Sequence, residues 1–518
     1  MRSFRMNFGQ AHVRLVQVGA ALAAAVLVAG CGNGVRPTVT TVTSSGPAAQ
    51  PVSYAVVVSA PSPTTAGIAT IIDYSGDTVM AEASIGPGPT TFTLDPLSSE
   101  GYTINRDGTL STFPVSKSLQ NNQVTYTTLP STAKPLNLFM SLTGLWAADL
   151  DGNVADAFNG SPETFLRPIP LAPTPVFVIG AGGIGQRDFG ISQGNSQGGN
   201  ISSPVQCNVS PTTGPLGEAD GIEVNSYTVS SQIPLGRCPV YAVESSDAKR
   251  LFVLNRGSDT ITVINTQDDT LDSCTPFANQ AGQTVTCHPT LPLSLTAVNT
   301  INAACTASGS TLPPCGGPPN GTSGMASTAG PVYAEYNAAT SQLVIANYDG
   351  GTISIIDVSL DEWGNDSSTF GTTFTVPVGK NPASVTVLYD GSRAYTANQT
   401  DQTVSVVNLS SHTVVNTLPV TGHPRNVAST QNSSYGKVYV ASPDSNVLTI
   451  LRTDQDIVDA TQLVEGNIVD VRVSTQNAVG GNLNSVSRVP GYGQPCNLPP
   501  SELATDASLT ITACQAQP

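Results

Sequence analysis

The stretch Tyr395-Thr-Ala-Asn398, followed by Val404-Ser-Val-Val-Asn408, has a pattern that recurs along this chain. Each half is a short apolar, β-branched run that ends at a polar residue, and the second run begins six residues after the first Asn. Such runs are typical of strands, and the Asn, Gly, Ser and Asp residues between them are typical of tight turns. Two other pairs have the same spacing, Leu251-Phe-Val-Leu-Asn255 with Ile261-Thr-Val-Ile-Asn265 and Val344-Ile-Ala-Asn347 with Ile353-Ser-Ile-Ile-Asp357, and two shorter pairs lead from Tyr102-Thr-Ile-Asn105 to Leu110 and from Val438-Tyr-Val-Ala-Ser442 to Val447.

A second element, Val378-Gly379-Lys380-Asn381-Pro382, precedes a further short apolar strand. That strand leads into a turn such as Asp390-Gly391-Ser392-Arg393. The chain therefore repeats one cycle: strand, Asn turn, strand, V-G-x-x-P and strand. Further copies of the second element are Ile85-Gly86-Pro87-Gly88-Pro89, Leu235-Gly236-Arg237-Cys238-Pro239 and a variant, Val420-Thr421-Gly422-His423-Pro424.

This cycle resembles the YVTN repeat of bacterial β-propeller proteins, best over residues 342–452 and more weakly from residue 54 onward. The resemblance implies an all-β fold, a β-propeller of seven or eight four-stranded blades, since the family usually has seven and we count eight units. The third and fourth units match the repeat poorly, and long insertions interrupt it at about 190–215 and 273–328. The units begin near residues 54, 101, 145, 187, 250, 342, 394 and 438.

The first unit lacks one strand, because the segment before Tyr54 is not strand-like. Asn467 to Thr475 can supply that strand from the other end of the chain, which would close the ring and leave no exposed sheet edges. We therefore predict a propeller over residues 54–475, followed by a C-terminal extension over 476–518. A solenoid or tandem sandwiches are the structural alternatives.

Composition excludes several classes of protein. Of 518 residues, 39% are hydrophobic and only 11% are charged, with 48 Gly and 39 Pro. So little charge with so much Gly and Pro argues against helical bundles and coiled coils. The 36 acidic and 20 basic residues give a formal charge of −16, which disfavours nucleic acid as a partner, because binding phosphates requires clustered Lys and Arg.

The N-terminus is typical of an export signal. Arg2, Arg5 and Arg14 precede an uncharged run from Leu15 to Gly30 that is too short for a comfortable membrane span. The run ends in Val28-Ala29-Gly30-Cys31, which resembles the lipobox of bacterial lipoproteins. That resemblance implies cleavage before the cysteine and acylation of Cys31, and acyl chains anchor a protein to a membrane. An ordinary cleaved signal with an incidental cysteine is the alternative.

We therefore predict a signal peptide over residues 1–30 and a lipidated tether, rich in Thr, Ser and Pro, over 31–53. The mature chain would carry 17 basic and 36 acidic residues, a formal charge of −19. Gly32 follows the cysteine where an Asp would favour the inner membrane, so the outer membrane of a bacterial envelope is expected.

The remaining cysteines form an even set of eight without a CxxC pair, which argues against zinc and thioredoxin-like sites. They lie in local couples within Gly-, Pro- and Ser-rich segments. Disulfides that staple long loops without regular structure are expected, and such bonds persist in an oxidising compartment; free buried thiols are the alternative. The predicted pairs are Cys207 with Cys238, Cys274 with Cys287, Cys305 with Cys315, and Cys496 with Cys514.

Propeller topology places some of these residues on one face. The ends of the second strands, at Asn255, Asn347 and Asn398, should lie on the same face as the V-G-x-x-P crossings. The Asn residues are interpreted as turn formers that bond their own backbone. Four basic groups in or beside the crossings are candidates for an anion-binding collar around the channel, the alternative being solvated turn residues; they are Arg237, Lys380, His423 and Arg425.

Catalytic and cofactor motifs are weak. Gly180-Ala181-Gly182-Gly183-Ile184-Gly185 satisfies GxGxxG, but the polar, Gly-rich residues that follow cannot open the required helix. Asp149-Leu-Asp151-Gly-Asn153 is interpreted as a turn, since its twelfth position is Gly160 rather than Glu. The few His residues show no paired metal spacing, and no GxSxG occurs. No metal, cofactor or catalytic residue is therefore predicted.

Three functions fit these observations. The favoured one is a lipid-anchored extracytoplasmic β-propeller, a monomeric ring that binds a protein, peptide or glycan and performs no chemistry. An enzyme of the lactonase or lyase type, using carboxylates or Ca²⁺ in the channel, is the first alternative, because propellers assemble sites from distant loops. The second alternative is an envelope structural protein whose tether and stapled loops matter more than its channel.

Overall fold

The computed structural model describes residues 54–95, 98–130, 133–141, 144–160, 163–181, 187–194, 205–207, 213–434 and 436–474. Over these ranges the chain forms eight antiparallel sheets that stand as eight blades around one axis. The prediction of an all-β propeller is confirmed, and its blade number is eight. The second strands of the blades begin within one residue of the repeat units counted in the sequence.

The first four blades include the two units that match the repeat poorly. Blade 1 is formed by β1 (Tyr54–Ala60), β2 (Ala66–Asp73), β3 (Thr78–Pro87) and β35 (Asn467–Val473). Blade 2 is formed by β4 (Pro89–Leu94), β5 (Glu100–Asn105), β6 (Thr109–Pro114) and β7 (Thr125–Thr128), with a 3₁₀ helix at Asn121–Gln123. Blade 3 is formed by β8 (Pro135–Ser141), β9 (Gly144–Asp149), β10 (Val154–Gly160) and β11 (Glu163–Pro170). Blade 4 is formed by β12 (Pro175–Ala181), β13 (Arg187–Ser192), β14 (Leu216–Glu223) and β15 (Thr228–Arg237).

The last four blades include the clearest repeats. Blade 5 is formed by β16 (Pro239–Glu244), β17 (Arg250–Asn255) and β18 (Thr260–Asn265), with β19 (Thr270–Leu271) and β22 (Thr290–Pro292) sharing the outermost place. Blade 6 is formed by β23 (Pro331–Asn337), β24 (Gln342–Asn347), β25 (Thr352–Asp357) and β26 (Thr373–Pro377). Blade 7 is formed by β27 (Pro382–Val387), β28 (Arg393–Asn398), β29 (Thr403–Asn408) and β30 (Thr413–Pro419). Blade 8 is formed by β31 (Asn426–Ser429), β32 (Lys437–Ala441), β33 (Val447–Arg452) and β34 (Ile457–Leu463).

The ring closes as the sequence predicts. The last strand, β35, pairs antiparallel with β1 and contacts the innermost strands of blades 8 and 2. Each end of the described chain thus contributes to blade 1, and β35 covers the inner edge that β1 would otherwise leave unpaired. Ser474 continues this closure, since its hydroxyl accepts a hydrogen bond of 2.8 Å from the Tyr54 N–H.

The core lies between adjacent blades, where alternate strand residues from both faces interdigitate. Between blades 1 and 2, Ile71, Phe92 and Phe113 belong to one buried cluster. The rings of Phe92 and Phe113 are stacked with centroids 6.1 Å apart. Burying an aromatic or branched side chain contributes about 1.5–3 kcal/mol, so the interfaces between blades hold the ring together.

The V-G-x-x-P crossings and the turns between second and third strands lie on one face, which we call the mouth face. Pro382 opens β27 and pairs with Asn398 at the end of β28. A Cβ at Gly379 would lie only 2.6 Å from the Asn398 side chain. Glycine is required in this crossing because the chain passes directly over the buried Asn.

The insertion between blades 5 and 6 has regular structure of its own, contrary to the prediction that its disulfides staple irregular loops. It contains helix α1 (Leu295–Ser308) and a small hairpin of β20 (Phe277–Ala278) and β21 (Thr284–Val285). Ser294 caps the helix by accepting a 3.1 Å hydrogen bond from the Ala297 N–H, and Gly309 ends it with φ 72°. The Gly and Pro residues on either side obscured a well-capped helix.

Three of the four predicted disulfides are present. Cys207 pairs with Cys238, Cys274 with Cys287, and Cys305 with Cys315, with Cα atoms 5.8, 5.5 and 5.8 Å apart. The pair Cys496 and Cys514, the lipidation residue Cys31 and the predicted signal and tether lie outside the described residues. No helix within the described ranges is long and apolar enough to cross a membrane.

Candidate functional site

A repeated irregularity of the innermost strands builds the candidate site. In β16, Pro239 pairs with Asn255, and the next pair is Tyr241 with Leu254, so Val240 bulges out of the ladder. The same skip follows the opening residue of the inner strands in blades 2 to 7, and in blade 1 it comes one residue later, at Val469. A bulge re-aims the residue that follows it. Each of blades 1 to 7 thereby presents one residue near the mouth, whereas blade 8 has no skip and contributes its opening residue, Asn426. We call this set the mouth ring: Thr91, Asn137, Phe177, Tyr241, Tyr333, Ser384, Asn426 and Asp470.

Three consecutive members of the mouth ring are aromatic. Phe177, Tyr241 and Tyr333 come from the consecutive blades 4, 5 and 6. The ring centroids are 4.9 Å apart for the first pair and 4.7 Å apart for the second, with tilted planes. Phe177 and Tyr241 are each 5% exposed, and Tyr333 is half-buried. The three rings therefore form a continuous apolar wall.

The Tyr333 hydroxyl is a polar group on this wall. It is buried and has no hydrogen-bond partner of good geometry among the described residues, although Tyr241 lies beside it. Burial raises the pKa of both tyrosines, and the Arg472 guanidinium opposes that rise. Both phenols are thus protonated at neutral pH.

The other five residues of the mouth ring are polar: Thr91, Asn137, Ser384, Asn426 and Asp470. Asp470 accepts hydrogen bonds from Arg472 at 2.9 Å (Nε) and 2.6 Å (Nη2), and the Asn426 amide also donates to this carboxylate. Ser384 accepts a 3.2 Å hydrogen bond from the Val427 N–H. Two neighbouring inner strands are thereby joined, and the ring is amphipathic across its diameter.

Arg472 closes the channel below the ring. It belongs to blade 1, whereas Tyr241 and Tyr333 belong to blades 5 and 6 on the far side of an eight-bladed ring. Burial acts to lower the pKa of Arg472, but Asp470 and the two tyrosines raise it overall. The guanidinium therefore stays charged in the middle of the channel.

The second channel carboxylate, Glu335, is also held by neighbours. It is 2% exposed, and it accepts hydrogen bonds from the Gln431 side chain at 3.1 Å and from the Val387 N–H at 3.2 Å. Asp470 and Glu335 thus both have structural partners. Among the described residues, no group of three His, Cys, Asp or Glu side chains is placed to hold a metal.

The predicted basic collar is partly assembled. Lys380, His423 and Arg425 lie at the adjoining crossings of blades 7 and 8, where all three are exposed. His423 Nδ1 lies 2.5 Å from an oxygen of Asp444, and its Nε2 lies 3.2 Å from Gln402. These three basic groups therefore share one sector of the mouth face with an acidic residue rather than forming a continuous collar.

Arg237 lies apart from that sector, at the crossing into blade 5. Its Nε donates a 2.8 Å hydrogen bond to the Gly214 carbonyl, and its backbone N–H donates to Ser258 at 3.2 Å. The side chain thus supports the insertion of blade 4. Anion binding by these four residues remains a prediction.

Sequence reasoning missed Arg256, which joins the mouth-face turns of blades 5 and 6. Its guanidinium donates to Asp349 at 2.9 Å and to the Val205 carbonyl at 2.6 Å, and it lies 5.2 Å from the centroid of the Tyr348 ring. The partners are up to 93 residues apart in sequence. Only the register of separate blades brings them together.

The Asn residues at the ends of second strands have a different role from the predicted one. Asn347 and Asn398 are fully buried, and they do not bond their own turns. The Asn398 amide donates to the Thr403 and Ser405 hydroxyls on the next strand, at 3.0 and 2.9 Å. Their interpretation as turn formers was wrong because each crossing packs over them and excludes water.

The two weak motifs are strand connections. Gly180 lies in β12 and Arg187 opens β13, so a hairpin occupies the place of the helix that a dinucleotide site would need; residues 182–186 lie outside the described ranges. Asp149 ends β9 and its carboxylate accepts a 3.1 Å hydrogen bond from the Asp151 N–H. The turn predicted there is confirmed.

No protein-family model matches this chain, and no curated protein is similar to it in sequence. Among solved structures, it is similar to apo AztD from Citrobacter koseri, with 11% identity, a TM-score of 0.52, and coverage of 81% of this chain and 97% of that one. A second crystal structure of Citrobacter koseri AztD has 10% identity and a TM-score of 0.51, with coverage of 81% of this chain and 97% of that one. The dihydro-heme d1 dehydrogenase NirN, in complex with DHE, has 14% identity and a TM-score of 0.50, with coverage of 83% of this chain and 77% of that one. At such identities these similarities show the β-propeller fold alone.

Proposed function

We propose that this chain is a bacterial lipoprotein of the YVTN-repeat type, an extracytoplasmic binding module that holds a protein, peptide or glycan at the mouth ring. The observation that carries the proposal is the amphipathic ring, with aromatic rings on one side and amide, hydroxyl and carboxylate groups on the other. Aromatic faces stack on sugar rings and on apolar side chains, while convergent polar groups fix the orientation of a ligand. The exposed basic groups at the crossings of blades 7 and 8 would favour ligands with an anionic part.

The geometry supports binding over chemistry. A lactonase or lyase of the alternative kind needs carboxylates that are open to the channel. Asp470 is instead paired with Arg472, and Glu335 receives two hydrogen bonds from neighbouring groups. A site of this kind positions a ligand without supplying a general acid or base.

The binding proposal is tested with maltotriose, trigalacturonate and the peptide Gly-Trp-Gly as probes, by calorimetry on the purified chain. Tyr333→Phe removes only the buried hydroxyl, so the affinity for a mouth-bound probe should fall about tenfold, the usual effect of one lost hydrogen bond to a ligand. Tyr126→Phe removes a hydroxyl from an outer strand, where Tyr126 is 54% exposed, and is the matched control. Failure of all three probes to bind, or equal effects of both variants, would contradict a mouth-ring site.

The lipid anchor is tested separately. Cys31→Ser removes the only residue that the lipobox offers for acylation, so the variant should leave the membrane fraction while the wild-type chain stays in it. Labelling with radioactive palmitate should disappear with the same substitution. Membrane association that persists in the variant would show that the anchor is not at Cys31, whatever the mouth ring binds.

A further inference from the structure

A histidine outside the channel is oriented by a buried carboxylate. His288 lies just before β22, at the outer edge of blade 5, and its Nδ1 lies 2.7 Å from Oδ2 of Asp366 in the loop between β25 and β26 of blade 6. The Asp366 side chain is 0% exposed, whereas that of His288 is 12% exposed. The two residues are 78 positions apart, so no sequence motif reveals the pair.

Further contacts fix the position of this pair. Arg250 lies 3.2 Å from Asp366 and 3.2 Å from Asp272, and all three side chains are nearly inaccessible. The imidazole of His288 stacks on Phe370 with centroids 5.2 Å apart. The Asp272 carboxylate also accepts a 3.2 Å hydrogen bond from the His288 N–H. The ring therefore has one orientation, set from both sides.

The same histidine lines a cavity of about 200 Å³. Five prolines and Leu291 make its walls apolar, and Thr290 is the other polar side chain in its lining. A dry cavity of about 150 Å³ is known to hold a benzene molecule, and this one has space for a six-membered ring with a polar substituent.

We propose that this cavity is a second binding site, which takes a phenolic ring. A carboxylate that accepts a hydrogen bond from Nδ1–H favours the tautomer in which Nε2 carries the lone pair, and the proposal assigns that tautomer to His288, with Nε2 left for the cavity. The occupant must then bring one hydrogen-bond donor to an otherwise apolar, proline-lined space. A phenol meets both requirements, whether as the tyrosine side chain of a peptide or as a free aromatic metabolite.

The experiment compares p-cresol with p-methylanisole, which has the same ring but no donor. Binding to the purified full chain is followed by NMR of ¹⁵N-labelled histidine. Cresol should shift the His288 Nε2 signal and bind about tenfold more tightly than methylanisole, because the ether leaves the imidazole acceptor unpaired. N-acetyl-tyrosinamide distinguishes the two sources: its binding indicates a peptide ligand, and binding of cresol alone indicates a free phenol.

His288→Phe keeps a flat ring in place and should abolish the preference for cresol. The matched control is His423→Phe, which removes the histidine of the other His–Asp pair, on the mouth face and away from this cavity. Equal binding of cresol and methylanisole, or the same loss of preference in both variants, would overturn the proposal. If His288→Phe fails to fold, the spectrum of the wild-type chain still tests the proposal. An Nε2 that carries a proton, or an Nε2 signal that cresol does not shift, would also overturn the proposal.

Discussion

Blades 7 and 3 have different polar side chains at the same buried position, the end of the second strand beneath the crossing. In blade 7, the buried Asn398 amide donates to the hydroxyls of Thr403 and Ser405 beneath the crossing. In blade 3, the positions of Asn398 and Ser405 are taken by Asp149 and Asp156, as the identical strand registers show. The same backbone geometry thus holds either an Asn–Ser pair, which is neutral, or two Asp side chains. The two Asp side chains repel each other when both are ionised, so one of them tends to keep a proton.

At this position of the blade, the physical consequence is a dependence on pH in blades 3 and 4. Asp156 is 1% exposed, and burial, with Asp149 beside it, raises its pKa to about 7. Burial also raises the pKa of Asp149, against the Lys134 N–H that donates to it. In blade 4 the equivalent residue, Asp220, has a pKa raised to about 6 by burial and by Glu218. The two units that fit the repeat least well are those whose crossings rest on titrating groups.

Transferring the blade 3 pair into blade 7 should have the largest effect. The double variant Asn398→Asp with Ser405→Asp replaces two hydrogen bonds by two facing carboxylates in a site closed by Gly379. We expect a loss of about 3–5 kcal/mol in the free energy of unfolding at pH 7.5, typical of an uncompensated buried charge. Urea unfolding at pH 7.5 and pH 5 measures it, with the exposed Asn159→Asp as control.

The loss should be smaller at pH 5, because one of the two acids is then protonated. A loss that is equal at both pH values would show that crowding under the crossing, rather than charge, distinguishes the two blades.

The reverse exchange, Asp149→Asn with Asp156→Ser, should stabilise blade 3 at neutral pH. The folded state holds a proton on Asp156 up to about pH 7, whereas the unfolded chain releases it near pH 4. The free energy of unfolding of the wild-type chain therefore falls between about pH 4 and pH 7. The variant should lack this component and gain about 1–3 kcal/mol at pH 7.5.

Thermal unfolding across pH 4 to 8 measures this difference. The single variant Asp151→Asn, in the exposed turn beside the pair, controls for the change in net charge. Parallel curves for the wild-type chain and the double variant would mean that the acidic pair does not hold a proton.

The smallest expected effect concerns the opposite face, where neighbouring blades are linked by ion pairs. Arg393 and the Tyr395 hydroxyl of blade 7 both contact Asp456 of blade 8, at 3.2 and 2.5 Å. In blade 4 the equivalent Arg187 pairs with Asp269 of blade 5, but Phe189 stands at the tyrosine position. Tyr395→Phe copies blade 4 into blade 7, and we expect it to cost about 1 kcal/mol in urea unfolding.

Tyr126→Phe removes an exposed 3.2 Å hydrogen bond to the Ser84 carbonyl on an outer strand and should change the free energy of unfolding by no more than about 0.5 kcal/mol. A cost for Tyr395→Phe no larger than that of the control would mean that the tyrosine hydroxyl adds nothing to the Arg393–Asp456 ion pair in linking blades 7 and 8.

Local patterns account for most of what could be predicted. The spacing of apolar runs around Asn347 and Asn398 sets hairpin after hairpin, and a strand from the other end of the chain completes the first blade. The three observed disulfides join cysteines at most 31 residues apart, which is why local pairing succeeded. Helix α1 was missed because composition was averaged over the whole insertion.

The sequence by itself determined the repeated antiparallel blade, the closing role of β35 and the local cysteine pairs, since each depends on residues that are near in sequence or on one missing strand. Only the tertiary structure decided that Tyr241 and Tyr333 face Arg472 across the channel, and that Asp366 orients His288. Those contacts depend on the number of blades and on the angle between them. Spacing along the chain carries no record of either, because the ring converts distant repeats into neighbours.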